Sequence, residues 1–251
     1  MTLRSALIAL CLSGSMLPGA GWAFDPSNMT DAERAALQAE MRAYLLANPD
    51  ILIEMSQALE QKQAEAQAVG DKGLIATNAA EIFSDGYSFV GGNPEGDLTV
   101  VEFIDYRCGY CRKAHGDVAE LVKSDGNIRY VVKEFPILGE ESLLASRFAI
   151  AALQVAGADA YAEINAGFYE SFRGDVTEET LRAFASELGL DPAPILAAME
   201  TPEVTKVIEQ NHLLAQRLQI SGTPTFVVGE QMLRGFAPLD AMRGIVAEER
   251  G

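Results

Sequence analysis

Apolar side chains recur at helical spacing in two consecutive segments near the N-terminus. Thr30 and Glu33 have the spacing of a capping box, which marks the start of a helix. The apolar positions that follow are Leu37, Met41, Tyr44 and Leu45. Asn48 and Pro49 are typical of a helix end followed by a new helix start. The second helix has an apolar face formed by Ile51, Leu52, Met55 and Leu59. We therefore predict helical structure over residues 24–70.

The pattern changes beyond these helices. Residues 71–97 contain several glycines and predict a connector with one short helix. Leu98–Tyr106 carries apolar residues on both faces, which is typical of a central strand that is covered on both sides. A helix to about Lys123 and a second β-rich segment, Ile128–Phe135, come next. This strand–helix–strand order predicts a βαβ unit.

The remainder of the chain predicts a helical block followed by a hairpin. Residues 140–218 have helical patterns throughout, and strand signals return at Thr225–Val228. Gly229 and Glu230 suit the tight turn of a β-hairpin, and one more helix is predicted near the C-terminus. We expect an α/β fold whose sheet domain covers residues 98–251, with the helical block as an insertion.

The first residues have the pattern of a secretory signal peptide. Arg4 supplies a positive charge, Ala6–Leu17 is largely apolar, and cleavage is expected after about Ala23. The apolar run is too short for a membrane span, which needs roughly 18 consecutive apolar residues. We therefore expect an exported protein. The formal net charge of −17 argues against a nucleic-acid partner, because phosphate binding needs Lys and Arg.

Removal of this segment takes Cys11 away and leaves Cys108 and Cys111, in a Cys-Gly-Tyr-Cys motif. A disulfide between them closes too short a loop to stabilise the fold much, so the pair is better suited to chemistry. The motif follows a buried strand and opens a helix, whose positive N-terminal end favours a thiolate. Cys108 is therefore the expected nucleophile and Cys111 the expected resolving thiol.

A metal site is the alternative interpretation of two closely spaced cysteines. A structural zinc site takes four ligands, and the chain offers two histidines, His115 and His212. His115 lies one helical turn beyond Cys111, and with both thiols it would form a site for Cu(I), which soft thiolates favour. The ligand count favours redox chemistry, and we expect neither a metal nor an organic cofactor.

Pro224 stands where a strand begins. A proline there is either an ordinary strand-entry residue, with no ladder hydrogen bond to lose, or the second residue of a cis peptide bond. Sequence spacing leaves both interpretations open.

Three segments of the sequence carry a family resemblance. They are Phe103–Cys111 (FIDYRCGYC), Lys133–Pro136 (KEFP) and Gly222–Phe226 (GTPTF). Together they resemble the DsbA-like family of bacterial periplasmic thiol–disulfide oxidoreductases, most closely its ScsC-like branch, over roughly residues 90–250. The resemblance implies a thioredoxin fold with a helical insertion, a periplasmic location, protein substrates and a membrane redox partner. It also implies that the first cysteine attacks and that the second is buried.

The resemblance implies further roles for single residues. Pro224 would be cis and pack beside the cysteines, and Thr223 would offer backbone groups to a substrate peptide. Gly109 and Tyr110, between the cysteines, are expected to contact the substrate with Thr223. This dipeptide lacks the histidine of the strongest oxidants in the family, so very strong oxidising power is not expected.

Glu102 lies in the middle of a strand between Val100 and Ile104. A buried carboxyl there has to be paired or protonated. Exposure at a strand edge is the alternative, although both faces of the strand are apolar. Lys133, on the neighbouring strand, is the expected counter-charge. The resemblance implies a buried acid that relays the proton of the resolving cysteine, and we assign Glu102 to this role.

The combined interpretation is an enzyme that exchanges disulfides with exported proteins through a mixed disulfide at Cys108. The helices of residues 24–70 are expected to make the protein a homo-oligomer, as in ScsC-like relatives, and to favour isomerase or reductase work. Three alternatives remain: a monomeric dithiol oxidase, a copper-handling thiol protein, and a holdase-like module built on the N-terminal helices.

Overall fold

The structure is a computed structural model that describes residues 28–251. The predicted signal peptide, residues 1–23, lies outside the described residues. Within them the chain forms ten α-helices and five β-strands. The described residues fall into two compact units, divided between residues 59 and 60. No helix in the described part of the chain is long and apolar enough to cross a membrane.

The second unit is built on a mixed sheet of five strands. Its central strand, β2 (Leu98–Ile104), runs parallel to β3 (Ile128–Glu134) and antiparallel to β4 (Thr225–Val228). The edge strands β1 (Phe89–Gly92) and β5 (Gln231–Arg234) pair antiparallel, which gives the order β1-β3-β2-β4-β5. The apolar residues on both faces of β2 place it at the centre, as predicted. This arrangement is the thioredoxin fold that the resemblance implied.

Helices cover both faces of this sheet. On one face, α4 (Gly109–Asp125) and α10 (Leu239–Arg250) bury apolar side chains against β2 and β4. Between β3 and β4 the chain forms the predicted helical insertion. Its helices are α5 (Glu140–Ala156), α6 (Ala158–Glu170), α7 (Glu178–Glu187), α8 (Pro192–Ala198) and α9 (Pro202–Arg217). A large apolar cluster joins this insertion to the end of β2 that carries the cysteines.

The segment expected to be a connector, residues 71–97, contributes β1 to the sheet. The sheet domain therefore begins before Leu98. Two consecutive glycines, Gly91 and Gly92, hide the strand signal in the sequence. Gly92 has φ +66°, and a Cβ atom there would lie 2.4 Å from the carbonyl oxygen of Ile128. Glycine is needed at this position because the backbone of β1 approaches its neighbour so closely.

The second N-terminal helix, α2 (Asp50–Thr77), does not end near Gly70 as predicted. The Asp71 carboxylate accepts two hydrogen bonds from the Arg234 guanidinium, at 2.5 and 2.9 Å, and Ile75 is buried beside the sheet. These contacts outweigh the weak helix preference of glycine. A short helix, α3 (Ala79–Phe83), follows it.

In the first unit, α1 (Asp31–Ala47) begins at the predicted capping box. The Thr30 amide donates to the Glu33 carboxylate at 2.8 Å. No residue of α1 is buried. The apolar side chains of α1 and most of those in the first turns of α2 are exposed, with Leu52 at 73% and Ile51 half-buried. The first unit therefore presents a large apolar surface in the single chain.

Candidate active site

The turn between β2 and α4 is organised by one buried carboxylate, that of Asp105. It accepts hydrogen bonds from the backbone amides of Arg107 at 2.8 Å, Ile137 at 2.8 Å and Leu138 at 3.0 Å. The Ser142 hydroxyl donates to it at 2.7 Å. Asp105 thereby joins the turn that carries the cysteines to the start of the insertion. Sequence reasoning assigned no role to this residue, although an aspartate at a strand end is a common turn former.

Cys108 is the N-cap residue of α4, as predicted from the motif. Its side chain is largely covered, at 8% exposure, and its Sγ donates a weak hydrogen bond to the Thr223 carbonyl oxygen at 3.2 Å. Cys111 lies in the first turn of the same helix and is 1% exposed. Both cysteines are free thiols in the structure. The outer cysteine therefore lies between the helix end and the segment that precedes β4.

The Thr223–Pro224 peptide bond is cis, as the resemblance implied. This turn brings the carbonyl of Thr223 against Cys108. Between the cysteines, in the first turn of α4, Gly109 is exposed and the Tyr110 side chain is 64% exposed. Thr223 therefore lies against Cys108, and the two residues between the cysteines are exposed.

Two arginines fix the cysteine turn to the helical insertion. The Arg107 guanidinium donates to the Gly174 carbonyl at 3.0 Å and forms an ion pair with Glu141 at 2.9 Å. Arg112, directly after Cys111 in α4, donates to the carbonyl oxygen of Tyr169 at the end of α6. Sequence reasoning missed both arginines, because the carbonyl groups that they contact are distant along the chain.

The thiol of Cys111 is difficult to ionise. Burial is the main cause that raises its pKa far above the usual range for cysteine, and the negative charge of Glu102 raises this pKa further. A thiolate at Cys111 therefore needs a base close by that takes its proton.

Glu102 is buried, at 3% exposure, as predicted. Burial raises the pKa of its carboxyl to about 7, although a hydrogen bond donated by the Tyr130 hydroxyl acts in the opposite direction. A carboxyl with this pKa can both accept and release a proton near neutral pH. Because its charge also acts on Cys111, Glu102 is suited to take the proton of that thiol.

The prediction that Lys133 neutralises Glu102 is wrong. In the parallel register of β2 and β3, Lys133 lies beside Phe103, whereas Glu102 lies beside Val132. Successive residues of a strand point to opposite faces, so the two charged side chains lie on different sides of the sheet. Lys133 instead forms a buried ion pair with Asp85.

A second buried acid, Glu134, was not singled out from the sequence. Its carboxylate accepts hydrogen bonds from Tyr106 at 2.8 Å, Tyr161 at 2.5 Å and Ser146 at 2.7 Å. Burial raises the pKa of Glu134 to about 7, against the effect of these hydroxyl groups. The sequence feature that could have identified Glu134 is its position as a glutamate at the end of an apolar strand.

The copper site considered for the two cysteines and His115 is not assembled. The His115 imidazole packs against the Tyr169 ring, with 5.0 Å between ring centroids, and its Nε2 lies 3.4 Å from the Glu170 carboxylate. His212 packs against the Phe135 ring. Within residues 28–251 no group of three or more His, Cys, Asp or Glu side chains is placed to hold a metal ion.

Comparison with protein families finds two matches along the chain. The thioredoxin family model matches residues 84–248, which include the whole sheet and the helical insertion. The model described as the copper resistance protein ScsC N-terminal domain matches residues 33–66, within the first two helices.

Solved structures with related sequences also match. A thioredoxin-like oxidoreductase from Silicibacter pomeroyi DSS-3 is 42% identical, with a TM-score of 0.63 over 68% of this chain and 96% of that one. The thiol-disulfide exchange protein alpha-DsbA2 from Wolbachia pipientis is 26% identical, with a TM-score of 0.68 over 73% of this chain and 97% of that one.

Curated proteins include longer relatives. The Na(+)/H(+) antiporter NhaA of Herminiimonas arsenicoxydans is 30% identical over 147 residues, which are 58% of this chain. The chain spans about a quarter of the length of the first curated relatives that it matches, at 23% and 24%.

Proposed function

The chain belongs to the thioredoxin family, among its DsbA-like and ScsC-like oxidoreductases, and we propose that it exchanges disulfides with exported proteins through Cys108 and Cys111. One observation carries the proposal. An N-cap cysteine lies 3.2 Å from the carbonyl that precedes a cis proline, with the second cysteine buried one turn behind it.

The chemistry is a pair of thiol–disulfide exchanges. The Cys108 thiolate attacks one sulfur of a substrate disulfide, which forms a mixed disulfide and releases the other substrate sulfur as a thiolate. The Cys111 thiolate then attacks the Cys108 sulfur, and the second substrate thiolate leaves. The substrate gains two electrons and the cysteine pair becomes a disulfide. The same steps in reverse oxidise a substrate dithiol.

Several groups support the two steps. The N-terminal end of α4 favours negative charge on Cys108, because its free backbone amides point towards that position. Glu102 accepts the proton of Cys111 when that thiol attacks. Thr223 offers its carbonyl and amide to the substrate backbone, and the exposed Gly109 and Tyr110 contact the substrate beside it.

The substrates and the redox partner are proposed from the family resemblance and from the expected export. We propose that the substrates are proteins in the periplasm, reached after cleavage of the signal peptide near Ala23. A membrane redox partner resets the cysteine pair after each turnover. The thiol-disulfide exchange protein of Wolbachia pipientis, similar over most of its length, supports this class of reaction.

We also propose that the first unit assembles copies of the chain and favours isomerase or reductase activity. The exposed apolar faces of α1 and α2 support assembly, and so does the match of residues 33–66 to the ScsC N-terminal model. In a closed assembly the cysteine sites would face a shared space, which a membrane oxidase reaches poorly. The pair would then remain reduced and attack incorrect disulfides.

Turnover assays test the proposed function. Residues 24–251 should reduce insulin in the presence of a thiol reductant and should also speed the recovery of activity from scrambled ribonuclease. Cys108→Ser should abolish both activities without changing the circular dichroism spectrum. Full activity in the Cys108→Ser protein, or no activity in the wild type in either assay, would contradict the proposal. Oxidation of reduced ribonuclease alone would support the dithiol oxidase instead.

A further inference from the structure

Basic side chains gather around the cysteine motif of an otherwise acidic chain. The formal net charge is −17, yet residues 107–113 contain Arg107, Arg112 and Lys113 and no acidic residue. The nearest acid before this segment, Asp105, is buried, and its carboxylate accepts the hydrogen bonds that shape the turn. The start of α4 therefore carries positive charge in a chain whose overall charge is negative.

Arg112 lies close to the attacking cysteine. Its backbone amide donates to the Cys108 carbonyl at 3.1 Å, which places it one helical turn beyond Cys108 along α4. Its guanidinium donates to the Tyr169 carbonyl at the end of α6. In the described part of the chain this is the one hydrogen bond of that side chain, which is half-buried. A guanidinium has five N–H groups, so Arg112 keeps donors for a ligand beside Cys108.

Arg173 lies close to Arg112, in the loop after α6. Its guanidinium donates to the carbonyl oxygens of Glu170 and Phe172, both at 2.7 Å. The first of these carbonyls is one residue beyond the one that Arg112 contacts. Burial lowers the pKa of the Arg112 guanidinium, and the like charges of Arg173 and Arg107 lower it further. The three arginines therefore form one positive cluster, in which Arg173 is exposed.

Capping of α6 explains only part of this arrangement. The negative C-terminal end of a helix favours cations, but it carries about half an elementary charge, whereas three guanidinium groups lie around it. The nearby Glu141 carboxylate pairs with Arg107 at 2.9 Å, and the Glu170 carboxylate lies 3.4 Å from the His115 imidazole. Within residues 28–251 the other two arginines have no carboxylate within 4.0 Å. They are therefore available to an anion from outside the chain.

We propose that Arg112 and Arg173 bind an acidic side chain of the substrate, so that the enzyme prefers proteins with Asp or Glu close to the reacting disulfide. The inference rests on the proposed thiol–disulfide exchange and names its substrate class. Guanidinium groups suit this role, because their planar donors bind a carboxylate through paired hydrogen bonds. Attraction between opposite charges mainly speeds encounter, so the preference should appear in the rate at which the mixed disulfide forms.

Matched peptides test this preference. Each peptide has one cysteine, joined in a disulfide to a small neutral thiol, and carries glutamate, glutamine or lysine on both sides of that cysteine. Formation of the mixed disulfide is followed by acid quench and mass spectrometry in the Cys111→Ser protein, which lacks the resolving thiol. Each rate is divided by the rate of the same peptide with dithiothreitol, so that differences in the intrinsic reactivity of the disulfides cancel.

At about 0.01 M ionic strength, the relative rate should be roughly fivefold higher for the glutamate peptide than for the glutamine peptide, and lowest for the lysine peptide. The difference should disappear at about 1 M salt, because salt screens exposed charges. Arg173→Gln should reduce the ratio of glutamate to glutamine rates to roughly twofold. Arg173→Lys should retain most of the ratio, and Arg173→Glu should remove it. Arg112→Gln should lower the ratio as Arg173→Gln does.

Other roles of the cluster give different results. If Arg173 only caps α6, or only favours the Cys108 thiolate, Arg173→Gln changes the rates of all three peptides by the same factor, which would overturn the recognition. Arg243→Gln is the matched control, because Arg243 is an exposed arginine near Glu120, further along α4. It should keep the original ratio. A lower ratio in this control would attribute the preference to overall charge and would also overturn the site.

The remaining outcomes separate this inference from the proposed function. Equal relative rates for the glutamate and glutamine peptides, with normal formation of the mixed disulfide, would overturn the recognition alone. No mixed disulfide with any of the three peptides would contradict the proposed exchange at Cys108, and the recognition with it.

Discussion

Two buried glutamates, Glu102 and Glu134, lie on the same face of neighbouring strands but in different surroundings. Glu134 accepts three hydrogen bonds from hydroxyl groups, whereas Glu102 accepts one. Glu102, the carboxylate with fewer donors, is the one whose charge raises the pKa of the resolving cysteine, Cys111. Burial raises the pKa of both carboxyls to about 7, and the charge of Glu102 acts on Cys111, so the proposed proton transfer is assigned to Glu102 at the scale of single residues.

The cost of ionising Glu102 predicts a gain in stability on its neutralisation. The folded-state pKa of about 7 lies above the ordinary value of 4.5, so the folded protein binds this proton more tightly than the unfolded chain does. The resulting stabilisation is complete below about pH 4.5 and is lost as pH rises through 7. Glu102→Gln should therefore raise the free energy of unfolding at pH 8 by on the order of 3 kcal/mol, as measured by urea denaturation.

The same variant should gain little at pH 4, where the wild-type carboxyl is already protonated. Glu95→Gln, at an exposed position, is the matched control and should change the stability at neither pH. A Glu102→Gln protein that is less stable than the wild type at pH 8 would show that the carboxylate is well solvated in the folded state.

The rate of resolution should depend on the same carboxyl. In the wild type this rate should rise with pH through about 7, as Glu102 loses its proton and becomes a base. Glu102→Gln should slow resolution about tenfold or more near pH 7 and remove that rise, in a quenched-flow assay of mixed-disulfide decay. Glu134→Gln is the control and should keep the rise. An unchanged pH profile in Glu102→Gln would exclude this residue from the mechanism.

At the scale of secondary structure, the sequence pattern predicted the elements with strong periodicity. The central strand β2, the active-site helix α4 and the helical insertion were predicted from apolar spacing and capping residues. The edge strand β1 was missed because Gly91 and Gly92 give no strand signal, and because edge pairing depends on distant residues of β3. The partner of Lys133 was assigned wrongly because the register between two strands cannot be read from either strand alone.

Alanine substitutions at two glycines of these elements should have opposite effects on the stability of the fold. Gly92→Ala places a Cβ atom against the Ile128 carbonyl at a left-handed backbone position, and should cost at least about 2 kcal/mol of folding free energy. Gly73→Ala adds a methyl group to the open face of α2 and should stabilise the fold by about 0.5–1 kcal/mol. Urea denaturation of both variants is the measurement, and equal stabilities would contradict the close approach of β1 to β3.

At the scale of the whole molecule, the sequence predicted the residues of the site's motifs but not the hydrogen bonds that connect the site to distant segments. The cysteines, Pro224 and buried Glu102 were expected from the sequence. Asp105, Tyr130 and Glu134 were not, because their importance lies in contacts between segments that are far apart along the chain. The apolar faces of α1 and α2 were also expected, and in the single chain they remain exposed.

These exposed faces predict an assembly of several copies. Light scattering of residues 24–251 should give a mass that is a multiple of the single chain. Leu52→Glu/Met55→Glu should reduce it to a monomer, because two charges on the apolar face oppose burial. Gln57→Glu, on the opposite side of α2, is the control and should leave the assembly intact. A monomeric wild type would favour the dithiol oxidase over the isomerase.

If Cys108 attacks and Cys111 resolves, the mixed disulfide that forms between these two steps can be trapped. Cys111→Ser and Cys108→Ser proteins are mixed with a disulfide-linked peptide and analysed by mass spectrometry after alkylation. A stable peptide adduct is expected on Cys108 in the Cys111→Ser protein, and no adduct is expected in the Cys108→Ser protein, where the remaining thiol is buried. A stable adduct on Cys111, or none on either cysteine, would contradict these roles of the two cysteines.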